Sequence, residues 1–397
     1  MLTGDGAWCW FQDPRAVHIH HRFRRTTATW VTRSGELQVG SYDHDTNDTG
    51  VFTVRRRWGA DDHGSGSLLV LPDRRLMVFY AQHNGKGLYC RTTTQAEDIR
   101  EWDEEVAVTT DDRVTYSNPV YLRDEGRMYL FWRGQDWKPT YATSSDGSTW
   151  SEPRTLIRDA ARAAHNVRPY FKIASDGTSA IDIVFTDGHP RDEPTNSVYH
   201  VRYERQELRA SDGRVLGRLE DLPLSPRVAS VVYEGRQQRV PAWVWDLALD
   251  RSGHPVVAYT RLPSIGDHRY HYARWTGQAW SDTQITPGGG WFPRTPRWRR
   301  EREPHYSGGI ALDHADPSTA YLSRQVDGRF EIERWATADG GHSWDMTPIT
   351  SGSEQDNVRP VVPRGVTGQG DLVLWLQGRY VRYTKYDMRI AMHASLR

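Results

Sequence analysis

Short apolar runs recur along the chain, and each is followed, after a turn, by a second run that ends in a polar residue. Seven such pairs start near Arg15, Ser65, Asn118, Arg168, Trp245, Ser307 and Arg359. The second runs read LQVGSYDH, LMVFYAQH, MYLFWRGQ, IDIVFTDGH, PVVAYTR, TAYLSRQ and LVLWLQG. The turns between the runs (PDRR, RDEG, ASDG, DRSG, DHAD) carry the Asp and Gly that tight hairpins demand. A third β-like run often follows, as in GLYCRTTT, PTYATSSDG, VYHVRYE, RYHYARWTG, FEIERWATADGG and VRYTKYD. Units of four strands that repeat about every 40 to 50 residues predict a radial array of small sheets. The expected fold is therefore all-β, a seven-bladed β-propeller, which also protects sheet edges that an open sheet would expose.

One propeller domain is expected over 1–397, with an insertion near 205–240 where the spacing widens. TLIRDAARAAHN, at 155–166, is the best candidate for a short helix. Two third runs end in turns resembling Asp boxes: Ser144, Asp146, Gly147, Thr149 and Trp150, then Thr337, Asp339, Gly341, Ser343 and Trp344. Such turns sit on the outer edges of blades, so their Trp residues are expected to plug the core.

Composition narrows the function. The chain has 51 basic and 51 acidic residues, hence no net charge. That argues against a nucleic-acid or anionic-membrane binder. The basic stretch Arg294–Arg302 reads as a solvated loop. Cys9 and Cys90 make no disulfide framework and are expected as free buried thiols. No apolar run reaches transmembrane length. MLTGDGAWCWF lacks the pattern of a signal peptide, so the location stays open between the cytoplasm and secretion after removal of a signal.

In a blade, the first strand runs along the axis and the second returns. The start of the first and the end of the second share one face, where function collects. The starts supply Asp13, Arg15, Asp62, His63, Tyr116, Asn118, His165, Asn166, Arg168, His305, Tyr306, Asn357 and Arg359. The ends supply Asp43, His44, His83, Arg133, Asp187, His189, Arg261, Arg324 and Gln377. Asn118, Tyr306, Arg324 and Arg359 are counted among the substrate-binding residues on this placement. Arg clusters take carboxylate or sulfate by paired hydrogen bonds, and His and Tyr move protons. A clear pair of carboxylates is missing, which weakens an ordinary glycosidase, and the Tyr/Glu nucleophile pair of a sialidase cannot be placed. Removal of the proton beside a uronate carboxylate fits better. It needs the carboxylate neutralised, a base at C5 and an acid at O4, with no metal or organic cofactor.

GAWCWFQDPRAV, VGSYDHD, DDH with the His of VFYAQH twenty residues later, TYSNPVYL with LFWRG, and RPYFKIASDG with FTDGHPRDEPTNSVYH resemble one family. It is the seven-bladed propeller polysaccharide lyases of the ulvan lyase and rhamnosyl-glucuronate lyase group, and the resemblance covers most of the chain. It implies cleavage of the rhamnose-α-1,4-uronate bond by β-elimination, leaving a 4,5-unsaturated uronate. By motif position it implies a catalytic group of His63, His83, Tyr116 and Arg133. Arg133 would neutralise the carboxylate, His63 and Tyr116 would share the base and acid roles, and His83 would assist. Arg168, Tyr170 and His189 are similar to subsite contacts. Ser117 stands where the family often has Pro, and GSGS follows DDH.

The partner expected is a uronic-acid-containing poly- or oligosaccharide, bound by a monomer. Some relatives carry metal, so a structural calcium or zinc ion is left open. HIHH (His18, His20, His21) and YDHDTND (Tyr42 to Asp48) are the stretches dense enough in ligands, although two Cys exclude a thiolate-rich zinc site. The competing readings are an α-L-rhamnosidase on the same linkage and a non-catalytic glycan-binding propeller.

Overall fold

In the computed structural model, residues 1–159, 167–295, 303–366 and 370–396 are described. The described strands build an all-β propeller. The hydrogen-bonded sheets number six among these residues, so the expectation of seven separate ones is corrected. Five are self-contained, with four, six, four, four and three strands. The sixth is eight-stranded, because Gly85–Gln95 pairs with Val106–Leu122 and so joins the expected second and third units.

Each unit begins with an inner strand, such as Ala16–His20, Ser67–Val70 or Phe171–Ser175, followed by its antiparallel partner. The first unit departs from the expected pairing. Arg24–Val31, with three Thr and two Arg, is the true second strand, and Leu37–Asp43 is the third. Asp43 and His44 therefore lie at the face away from His63. His44 Nε2 and His18 Nδ1 both meet the Thr26 hydroxyl, at 2.7 and 3.0 Å.

The segment expected as an insertion adds Glu207–Arg209, Val215–Arg218 and Ser230–Tyr233 to the six-stranded sheet. Of the expected short helix, Arg154–Thr155 is a strand and Ile157 bridges Leu224, while 160–166 lie outside the described residues. So do His165, Asn166 and residues 296–302 of the basic stretch, whereas Arg294 pairs with Asp356. VRYTKYD proves to be the hairpin turn between Leu372–Arg382 and Lys385–Ala394. Both cysteines are free and buried. Among the described residues, no helix is long and apolar enough to cross a membrane.

The N-terminal segment closes the wheel and fills its axis. Thr3 bridges Ile390 of the last sheet, and Ala7 bridges Val31 of the first. Trp8, Trp10 and Phe11 then enter the centre, each at most 2% exposed. Trp10 stacks on Trp245 at 4.2 Å and meets Trp243 and Tyr306 edge-on. Each such pair adds about 0.5–1.5 kcal/mol beyond burial. The Asp-box turns are structural. Asp146 Oδ1 accepts the N–H groups of Ser148 and Thr149 at 2.8 Å, and the Trp150 ring meets Phe79 edge-on. Trp344 meets Tyr272 in the same way.

The turn entering the second unit is tied to the last unit by a buried ion pair. Arg359 and Asp62, both fully buried, meet at 2.6 Å, and the Tyr380 hydroxyl donates to the same Asp62 oxygen at 2.7 Å. Burial pushes Asp62 up, but Arg359 and His63 outweigh it and hold it low. Asp62→Ala strands the guanidinium, so a loss of about 3–5 kcal/mol is expected as a lower Tm in a thermal melt.

Candidate active site

DDH folds into a single tight turn, Asp62–Gly64, and Asp61 caps it by accepting the His63 backbone N–H at 3.0 Å. The same carboxylate takes two imidazoles. Nδ1 of His63 lies 2.9 Å from Oδ1, and Nδ1 of His83 lies 3.1 Å from Oδ2. His83 reaches it from the end of strand Leu76–Ala81. The rings stack in parallel, 4.1 Å apart and tilted by 4°, with Tyr383 edge-on to both. An ionised carboxylate only accepts hydrogen bonds, so each Nδ1 carries hydrogen. For neutral His83 this leaves the Nε2 lone pair available.

Their surroundings shift the two rings in opposite directions. Burial alone would push His63 down, but Cys9, Asp61 and Asp62 outweigh it and hold His63 well above the usual range. Nδ1 of His63 also lies 2.9 Å from Asp62 Oδ1, although its one proton serves Asp61. His83 is brought down to about 4, first by burial and then by cationic His63. Environments that separate the pKa values of neighbouring groups produce an acid and a base. His83 is also the more open ring, with 24% of its side chain exposed against 6% for His63. A cavity of about 500 Å³, lined by Trp58, Gln82, His83 and Lys86 among others, opens beside it.

Burial also holds His18, His268 and His305 at about 4. With His83, that makes four histidines held at about 4, and burial also lowers His44, His189 and His271 from the unfolded 6.5. The unfolded chain binds more protons between about pH 4 and 6.5, so stability rises with pH across that window. Thermal melts are expected to show Tm falling steadily as pH drops from 6.5 to 4.

Arg133 ends strand Arg127–Arg133 and is buried. It donates to the Tyr170 hydroxyl at 2.9 Å, Asn84 Oδ1 at 3.1 Å and Thr115 Oγ1 at 3.0 Å. Its Nε is buried without a partner. Its guanidinium lies 5.0 Å from the Tyr116 ring centre and 5.6 Å from that of Tyr170. Among the described residues, no carboxylate stands within ion-pair distance of it. A buried cation without a counter-ion is costly, so the site is set to receive an anion.

Tyr116 sits where the register shifts between Phe131 and Arg133, with φ of +69°. Such left-handed backbone costs about 1–3 kcal/mol and gathers at functional sites. The bulge turns the phenol toward His63, ring centres 5.8 Å apart. Burial holds the hydroxyl well above its usual range, so it stays protonated.

His63, His83, Tyr116 and Arg133 thus share one cluster, with Tyr170 bonded into it. His189 packs against Tyr170 and Trp243, at 5.5 and 4.5 Å. Arg168 pairs with Asp192 at 2.9 Å and lies over Trp137. The structure gives the other expected binding residues internal partners. Asn118 is buried and holds Asp13 N–H and the Phe11 carbonyl. Arg324 makes a paired contact with Glu333, Arg359 is sealed against Asp62, and Tyr306 is buried in the aromatic plug. Asp61, Asn84, Thr115 and Tyr383 were not anticipated. Only Asp61 carried a signal, as the first residue of DDH.

Two groups of donors converge within 4.8 Å, Asp61, His63 and His83, and Cys9, Asp62 and His63. Either has the ligand types a divalent ion accepts. HIHH and YDHDTND form no such group among the described residues.

The family described as BNR repeat-containing matches residues 25–287. The chain belongs to it. No curated protein matches the sequence. A structure of a PL25 ulvan lyase bound to -[GlcA(1-4)Rha3S]- is similar in fold, with a TM-score of 0.76 at 16% identity, covering 100% of this chain and 95% of that one. A second PL25 ulvan lyase structure gives 0.74 at 17%, covering 99% and 94%. The polysaccharide lyase Uly1 gives 0.55 at 12%, covering 98% and 96%. At these identities the likeness is one of fold.

Proposed function

We propose that this BNR-repeat propeller is a polysaccharide lyase that breaks a rhamnose-α-1,4-glucuronate linkage by β-elimination. The observation that carries the reading is the buried Arg133 guanidinium, without a carboxylate among the described residues, beside two imidazoles held by one Asp. A uronate carboxylate supplies the missing anion. Its neutralisation by Arg133 makes the C5 proton removable. His83 Nε2 takes that proton, the C4–O4 bond breaks, and a C4–C5 double bond forms. The Tyr116 hydroxyl, with cationic His63 beside it, gives a proton to O4. The electrostatics thus favour His83 over His63 as the base. Arg168, Tyr170 and His189 are read as neighbouring subsite contacts.

The likeness to a fold seen with bound -[GlcA(1-4)Rha3S]- supports this substrate class. A hydrolase is disfavoured by the carboxylates. Asp62 is sealed by Arg359, and Asp61 is held low by His63 and His83 against the effect of burial, so neither is poised as a protonated acid. We further read the eight-stranded sheet as two joined units. We also read the chain as a single propeller domain and a monomer that needs no cofactor.

Ulvan and gum arabic, each incubated with the protein, test the reading. Ultraviolet absorbance of an unsaturated uronate is expected to rise with one of them. Free rhamnose without that absorbance would replace the lyase by an α-L-rhamnosidase. Saturable binding without product would leave a glycan-binding propeller.

A further inference from the structure

The inner strands begin at the imidazole pair and end at a second opening. Ser67–Val70 follows His63 and leads to Arg74, and Phe171–Ser175 follows Tyr170. At that far end lies a cavity of about 820 Å³. Its size is that of a small-molecule site. The Trp8–Asp13 segment fills the axis between the two ends.

The walls of this cavity are mostly apolar, with Val17, Leu68, Val120 and Ile173 among the lining residues, while His20, His21, Arg74 and Arg123 also line it. Asp13, His314 and Arg364 line its floor, and a buried charge cluster lies behind them. Asp13 pairs with Arg15 and Lys172, and Asp246 pairs with Arg364 and His314. Three cations, Arg15, Lys172 and Arg364, thus face two carboxylates, Asp13 and Asp246. Burial pushes Asp13 up, but the three cations bring it down to about 2, so it stays ionised. Asp246 is further engaged by the N–H groups of Leu247 and Leu312. Arg15 is 5% exposed, and its NH1 has no partner. It borders a water-sized space shared with Asp13, Pro14 and Arg364, which also line the floor of the larger cavity.

A mostly apolar barrel over a floor with one surplus cation has the chemistry of a site for an amphipathic anion. We propose that this end of the axis binds a small organic carboxylate with an apolar body, its carboxylate toward Arg364, with the buried Arg15 behind it. An uncharged ligand would leave the surplus cation unmet.

Isothermal titration calorimetry with octanoate tests this, with octanol as the uncharged control. Octanoate is expected to bind saturably to the full chain, and octanol at least about tenfold more weakly. Ile173→Trp, which narrows the cavity, is expected to weaken binding. Arg364→Gln is expected to weaken it by about tenfold. Absence of saturable octanoate binding would overturn the proposal, as would equal affinity for octanol. Unchanged binding by a folded Ile173→Trp chain would place octanoate elsewhere and overturn it too. If that chain fails to fold, the comparison of octanoate with octanol and the Arg364→Gln titration decide. None of these readouts depends on the lyase reading.

Discussion

Arg133→Ala is expected to lower kcat/KM on a uronate polymer by about 10²–10³, with the folded chain intact. The reasoning starts from desolvation. The guanidinium is buried against two tyrosine faces and spends its N–H groups on neutral oxygens. No ion pair is broken by its removal, so stability should change little while the anion site disappears. The charge on the substrate carboxylate matters most as C5 becomes carbanionic, so the loss should fall on kcat as well as KM. Arg133→Lys restores a charge but not the planar fork, and an intermediate rate is expected. Initial rates of ultraviolet product formation, with a thermal melt of each variant, measure this. A loss smaller than about threefold would remove Arg133 from the chemistry.

The sequence carried the inner strands and their partners where both runs were apolar. It misled where a strand looked polar. RRTTATWV is a genuine second strand whose Thr side chains are buried, yet it breaks the apolar pattern. Skipping it reversed the direction of the next run and placed His44 at the wrong end. Residue type at a strand end also does not reveal a partner. Arg359 finds Asp62 across 297 positions, and Arg324 finds Glu333 on the adjacent strand. Both were therefore counted as free to meet substrate. His63 and His83 were visible by motif, but their division of charge was not. That division depends on burial and on Asp61 lying between the two rings, which only the folded chain determines.

Asp61 therefore carries the second large effect. Asp61→Asn keeps the shape and removes the charge. The carboxylate accepts from Nδ1 of both rings, whereas a carboxamide offers an acceptor to one and a donor to the other. If the oxygen stays with His63, His83 faces an N–H and must present a lone pair at Nδ1. Its hydrogen then moves to Nε2, and the proposed base is lost. The analogous exchange in a Ser-His-Asp triad costs about 10⁴ in kcat through the wrong tautomer, and a loss of about 10³–10⁴ is expected here. The pH response separates this from simple misfolding. His63 sits above its unfolded value, so its contribution to stability is present below about 6.5 and fades as pH rises through the folded value. Without the Asp61 charge the folded value drops, and that contribution shrinks. NMR titration of the imidazoles should show His63 moving down toward the ordinary range. Thermal melts should show Asp61→Asn most destabilised, relative to the parent chain, on the acid side of neutrality. An unmoved His63 titration together with an unchanged rate would show that Asp61 organises neither ring.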